Sequence, residues 1–233
     1  MAKENKKSSK MAGLTFRQKL GYIRDYYTLH IVAGLVLFAV VGWGINHFII
    51  NPPPATFINV SFYGVSLPRG FTETIRSDLE ENLTCAEGYV ILVDNFYYGS
   101  DTRLNLTMHQ RFGAMVATGQ LDVLLVAPGE VERLYNFGFA RNLNEVFMPW
   151  QLEQLYMQGL VEYGQEHIFD LAGQVIGYKD VIPMGVRLDR NPFFGRLAEQ
   201  YGGSFDEWVM IVVTNSKREA AVGSFLDYIF GYG

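Results

Sequence analysis

The chain reads as an α/β protein: an N-terminal transmembrane helix followed by a mainly parallel sheet with helices on both faces. Three observations predict it. Residues 31–50 (IVAGLVLFAVVGWGINHFII) form one long uncharged apolar run. Two short, near-continuous apolar stretches, YVILVD and LDVLLVA, have the pattern of strands buried on both faces. Between and after them lie segments with helical apolar spacing, and that alternation implies a parallel sheet covered by helices.

The apolar run comes first. Twenty residues at about 1.5 Å each span about 30 Å, the hydrocarbon thickness of a bilayer. Inside lipid every backbone group must be bonded within the segment, so a helix is required. Trp43 and His47 at one end, and Tyr22, Tyr26 and Tyr27 at the other, suit the two interfaces. Asn51-Pro52-Pro53-Pro54 follows, and three prolines stop a helix and favour a stiff stalk over residues 51–56. Residues 1–30 carry seven Lys or Arg against Glu4 and Asp25, a balance of +5, while the chain as a whole is at −5. A basic flank stays in the cytoplasm, which places the N-terminus inside and the remaining chain outside. A cleaved signal peptide fits poorly, because the charged region is too long and no small-x-small site precedes Pro52. Residues 14–28 have an amphipathic pattern that lies on the inner leaflet or extends the span.

Residues 57–233 are long enough for one domain with a sizeable core. Residues 57–63 alternate as a strand, and 72–83 carry Phe71, Ile75, Leu79 and Leu83 on one helical face. Strand 89–94, helix 104–118, strand 121–127 and helix 130–137 complete a β-α-β-α-β-α order. Farther on, the pattern predicts a helix over 149–163, a hairpin around Gly173 within 168–181, a helix over 191–201, a strand over 208–213 and a helix over 218–230.

Composition excludes several functions. The single cysteine, Cys85, rules out an internal disulfide and a cysteine-based zinc site. The body of the chain carries −10, which argues against nucleic acid or an anionic surface as its partner. His30, His47, His109 and His167 show no metal-ligand spacing. No G-x-S-x-G, P-loop or dinucleotide fingerprint is present. No catalytic residue, metal ligand or cofactor is expected. Asp122 opens a predicted strand, where a turn or capping role is expected. Ligands of open α/β sheets lie beyond the carboxyl ends of the strands. The loop after the second strand, 94–101, joins aromatic faces to polar groups there, so Asp94, Tyr97, Tyr98 and Asp101 are the candidate ligand-binding residues.

Three stretches carry a family resemblance: 115–126 (MVATGQLDVLLV), 134–143 (LYNFGFARNL), and 212–221 (VVTNSKREAA) followed by Phe225-Leu226. Together they resemble the extracytoplasmic solute-binding proteins that feed ABC importers. The tail and the start of the span are similar to single-pass proteins of Gram-positive bacteria. The resemblance implies a shortened form of that fold, since about 180 residues suit one lobe and a reduced second portion. The expected function is a non-catalytic, membrane-anchored accessory or assembly subunit of a transporter or other envelope complex. The alternative is a tethered receptor for a small solute such as a sugar, a peptide or an amino acid.

Overall fold

A computed structural model describes residues 15–83, 85, 88–98, 102–188, 191–201 and 207–232. It contains two compact units, Met1–Pro53 and Pro54–Gly233. In the first, helix α1 (Phe16–Ile45) is continuous and passes into a π-helical turn, Asn46–Ile50. The juxtamembrane segment and the apolar run are thus one helix. The segment Thr28–Ile50, 23 residues with mean hydropathy 2.1, is long and apolar enough to cross a bilayer, and none of its most apolar stretch is buried in protein. Its end has a local cause. The Asn51 amide donates to the Asn46 carbonyl at 2.8 Å, five residues back, and the Asn51 side chain donates to that of Asn46 at 3.1 Å. Pro52, Pro53 and Pro54 offer no amide hydrogen to carry the ladder further.

The second unit is built on one six-stranded sheet in the order β2-β1-β3-β6-β5-β4. Strands β1 (Ala55–Tyr63), β2 (Tyr89–Phe96) and β3 (Val123–Val126) are joined through helices α2 (Phe71–Asn82) and α3 (Thr102–Ala117), and they pair in parallel as the alternation predicts. The other half of the sheet differs from the mainly parallel expectation. Strands β4 (Val161–Phe169), β5 (Val175–Arg187) and β6 (Val209–Val212) form only antiparallel pairs, including β6 with β3. The reason is physical: a four-residue run such as Val209–Val212 is buried on both faces in either direction, so its apolar pattern carries no sense of direction.

Helices cover both faces. Against one face pack α2, α5 (Pro149–Met157), α6 (Pro192–Tyr201) and α7 (Glu219–Phe230), around Ile58, Val60, Phe62, Leu125 and Met210. Against the other pack α3 and α4 (Pro128–Asn136), around Phe96, Phe112, Leu124, Val131, Leu134 and Ile211. Each such side chain, fully buried, is worth about 1.5–3 kcal/mol of transfer free energy. Asn191 illustrates how sequence sets a boundary. Its side-chain Oδ1 caps α6 by accepting from the Phe193 and Phe194 amides, and Pro192 occupies the first helical position. Its side-chain Nδ2 also donates to the Ile229 carbonyl at 3.0 Å, tying α6 to α7.

One predicted element is corrected. The helix expected over 149–163 ends at Met157, because Gly159 turns the chain with φ +66° and Val161 opens β4. The expected short hairpin around Gly173 is correspondingly longer, with arms of 9 and 13 residues.

Two of the motifs behind the family resemblance meet in space. Asp122 is fully buried just before β3. Its carboxylate accepts from the Asn59 amide at 2.8 Å, the Ser216 hydroxyl at 2.6 Å and Arg218 Nε at 2.8 Å. Arg218 also donates to the Gly119 and Gln120 carbonyls. Asp122 therefore holds β1, the entry to β3 and the turn before α7 together, a wider structural role than the turn or cap expected of it. Gly119 is required there: its φ is +67°, and a Cβ would stand 2.6 Å from the Asn215 carbonyl oxygen.

Candidate functional site

The loop singled out from the sequence is only partly open to a ligand. Asp94, in β2, sits inside a polar chain across the sheet. Arg111 of α3 binds its Oδ1 at 2.6 Å, and Asn59 of β1 donates to its Oδ2 at 3.2 Å. Asn59 in turn accepts from the Ser61 hydroxyl at 2.8 Å. Asn59 is fully buried, so this chain of contacts is closed to solvent on the β1 side. Tyr98 packs rather than projects: its ring stacks on His109 at 4.2 Å and meets Tyr63 edge-on at 5.1 Å. Burial, then the adjacent Tyr63 hydroxyl, pushes its pKa well above the ordinary tyrosine value. Tyr97 is 47% exposed. Asp101 lies outside the described residues, as do Gly99 and Ser100.

A better-formed concavity lies between α4 and the outer edge of β4. It has a volume of about 480 Å³, within the usual range for small-molecule sites. Its position follows from the sheet. β3 ends at Val126, Ala127 is extended, and Pro128 starts α4 just beyond the carboxyl end of that strand. Val131 and Leu134 bury one side of the helix. Glu132, Arg133, Asn136 and Phe137 are left to face the cleft, and Glu162, Tyr163, His167 and Phe169 of β4 supply the opposite wall.

Side chains of α4 hold that wall in place. Asn136 accepts from the His167 amide at 2.7 Å and donates to the Gln165 carbonyl at 3.0 Å. It bonds β4 as a neighbouring strand residue would. Glu132 accepts from the Gln165 amide at 3.4 Å and pairs with His167 Nε2 at 2.7 Å. The outer edge of the sheet is therefore capped at these residues by a helix, which protects it from pairing with another chain. On the rim, Arg133 is ion-paired with Glu130 and lies 5.9 Å from the Phe137 ring centre. Glu162 is 4.0 Å from Arg187. Phe137 and Tyr163 are 61% and 52% exposed, so part of each ring is open at the cleft mouth although Arg133 lies over Phe137 and Tyr156 stacks on Tyr163 at 6.4 Å.

This arrangement is suited to holding a solute. Exposed aromatic faces can stack on a flat or apolar surface, and Glu132, Glu162, Asn136 and Arg133 present fixed polar groups beside them. Among the described lining residues there is no serine, threonine or cysteine, and His167 is engaged with Glu132. Sequence reasoning placed Glu132 in a short helix and Tyr163 at the end of another, and gave His167 no role. The available signal was the run VEYGQEHIF, whose Gly164 disfavours a helix and whose Val161, Tyr163, Ile168 and Phe169 suit a strand.

No family model matches the chain, and no curated protein does so. Among solved structures, the N-glycan transport solute-binding protein of Streptococcus pneumoniae, in complex with Man5GlcNAc, aligns with a TM-score of 0.30 and 15% identity. The alignment covers 64% of this chain but only 30% of that one. A likeness so distant assigns this chain neither a fold family nor a ligand.

Proposed function

We propose that this chain is a single-pass membrane protein whose α/β domain stands outside the cytoplasm and works by binding rather than by catalysis. Its ligand is a small solute of the sugar, amino-acid or short-peptide class, taken up in the cleft between α4 and β4. The observation that carries this reading is the cleft, with its exposed Phe137 and Tyr163 faces beside Glu132, Glu162 and Asn136. The apolar length of Thr28–Ile50, its basic N-terminal flank and the prolines after it support the anchor and its orientation. The test is thermal unfolding of the full chain in detergent against a panel of sugars, amino acids and short peptides. Binding to the native state alone raises its stability, by about 2.7 kcal/mol at 100 times Kd. A ligand that raises Tm in the native protein, and raises it less in Tyr163→Ala, supports the reading. No shift across the panel rejects it.

A second reading, a non-catalytic accessory subunit of a membrane protein complex, is favoured by the surface of α5. Met148, Trp150, Tyr156 and Met157 are 63%, 49%, 41% and 68% exposed there. Tryptophan, tyrosine and methionine are the residue types enriched in protein interfaces. A photo-crosslinker placed at position 150 in native membranes would capture one stoichiometric membrane protein if this reading holds. Capture of nothing specific counts against it.

A further inference from the structure

We infer that the tip of the β4–β5 hairpin is a second membrane contact, inserting into the outer face of the same bilayer that Thr28–Ile50 is proposed to cross. The inference rests on that anchor reading and adds a lipid site within the outer domain.

The tip is apolar where a soluble hairpin would be polar. Leu171, at the turn, is fully exposed, and Phe169, Val175, Ile176 and Tyr178 around it are 38%, 43%, 66% and 61% exposed. Hairpin turns favour glycine, asparagine and aspartate, and a fully exposed leucine flanked by further apolar residues is costly in water. Leu171, at 110% exposure, protrudes from the turn. A protein partner would need a matching pocket, whereas a bilayer needs none.

The turn is also prepared for a low-water environment. The Asp170 amide donates to the Gln174 carbonyl at 2.9 Å, and the Gly173 amide to the Asp170 carbonyl at 3.1 Å. The Asp170 carboxylate accepts from the Ala172 and Gln174 amides, both at 2.8 Å. Four of the five amides over 170–174 are thus satisfied within the turn, and the one carboxylate at the tip is occupied by two of them. Backbone groups already bonded can approach lipid without the cost of orphaned donors. Behind the tip, Tyr178 stands opposite His167, and Lys179 is paired with Glu166 at 2.5 Å. At about 3.4 Å per residue these groups lie roughly 10 Å back, the depth at which aromatic and paired polar groups meet headgroups.

The topology puts the tip at the correct end. Val186 pairs with Met210, Met210 with Leu125, and Leu125 with Phe62, so these four residues stand level across the sheet. β5 runs in the same sense as β1, and its start, Val175, therefore lies at the end of the sheet where β1 starts at Ala55. Strand twist of roughly 20° per step splays the hairpin over three steps but does not reverse it. In sequence, β1 follows directly on Asn51–Pro54, so the chain enters the domain at that same end of the sheet. The acidic groups on the hairpin, Glu162, Glu166, Asp170 and Asp180, direct the contact to zwitterionic headgroups rather than to an anionic surface.

The test uses the full chain with Cys85→Ser, placed in phosphatidylcholine nanodiscs. Single cysteines are introduced by Phe38→Cys in the span, Leu171→Cys and Ile176→Cys on the hairpin, and Ser66→Cys in the exposed loop after the far end of β1. Each is labelled with an environment-sensitive fluorophore. The expected result is quenching by lipid-borne nitroxides at positions 38, 171 and 176, with a blue-shifted emission and loss of iodide quenching at the last two. Position 66 should respond to iodide alone. Lipid quenching at 38, with 171 and 176 behaving like 66, overturns the hairpin contact and leaves the anchor standing. Absence of lipid quenching at 38 overturns the anchor reading and the contact with it. Protection of 171 and 176 from both quenchers identifies a protein covering the tip and overturns the lipid contact.

Discussion

Asp122 shows how much of this fold depends on single polar side chains. A fully buried carboxylate is tolerated only because three donors, from Asn59, Ser216 and Arg218, converge on it. Asp122→Ala removes the acceptor of the Asn59 amide, the Ser216 hydroxyl and Arg218 Nε, leaves the guanidinium charge without its carboxylate, and should lower unfolding stability by about 3 kcal/mol in urea titration. Gly119→Ala, which introduces a clash and a strained φ at the same junction, should also destabilise the domain, with no change in its far-UV spectrum below the transition. Tyr228 gives a pH signature. Its hydroxyl donates to Asp78 at 2.6 Å, and burial, then Asp78, pushes its pKa up to about 12. A pKa raised on folding favours the protonated phenol in the native state. Its contribution is therefore complete below the unfolded value of about 10 and lost as pH rises toward 12. The melting temperature should fall across that window, and less steeply in Tyr228→Phe. The sequence motif around Gly119-Gln120-Leu121-Asp122 was readable as the entry to a strand, but its partners lie 63, 94 and 96 residues away and leave no local trace.

Among the elements, the β4–β5 hairpin most separates expectation from structure. Gly173 marked its turn, yet its length and its place at the sheet edge were hidden because residues 149–163 carry a plausible helical spacing up to Gly159. The hairpin is held to α4 largely through Asn136. Asn136→Ala removes the bonds to the His167 amide and the Gln165 carbonyl and should cost about 1–2 kcal/mol. Amide hydrogen exchange at Gln165 and His167 should accelerate before that of β1 or β3. Unchanged exchange there would mean that Asn136 does not hold the edge. The same variant should weaken any ligand of the cleft, because its outer wall is the strand that Asn136 holds.

For the whole molecule, the expected behaviour follows from the proposed anchor. The full chain should remain with membranes through high salt and alkaline wash and be released by detergent. Protease added to intact cells should cut the domain and spare the N-terminal tail. Release by salt alone would make the apolar helix a poor description of a span.

The sequence by itself determined the apolar helix, the order of nearly every strand and helix, and most of the residues that face the core, because burial leaves a period along the chain. It did not determine that β6 runs antiparallel between β3 and β5, that Asp94 is occupied by Arg111 and Asn59, or that α4 and β4 enclose a cleft. Those depend on which distant segments become neighbours. A buried valine looks the same whatever lies beside it, and a surface glutamate acquires a role only when folding brings a strand edge within its reach.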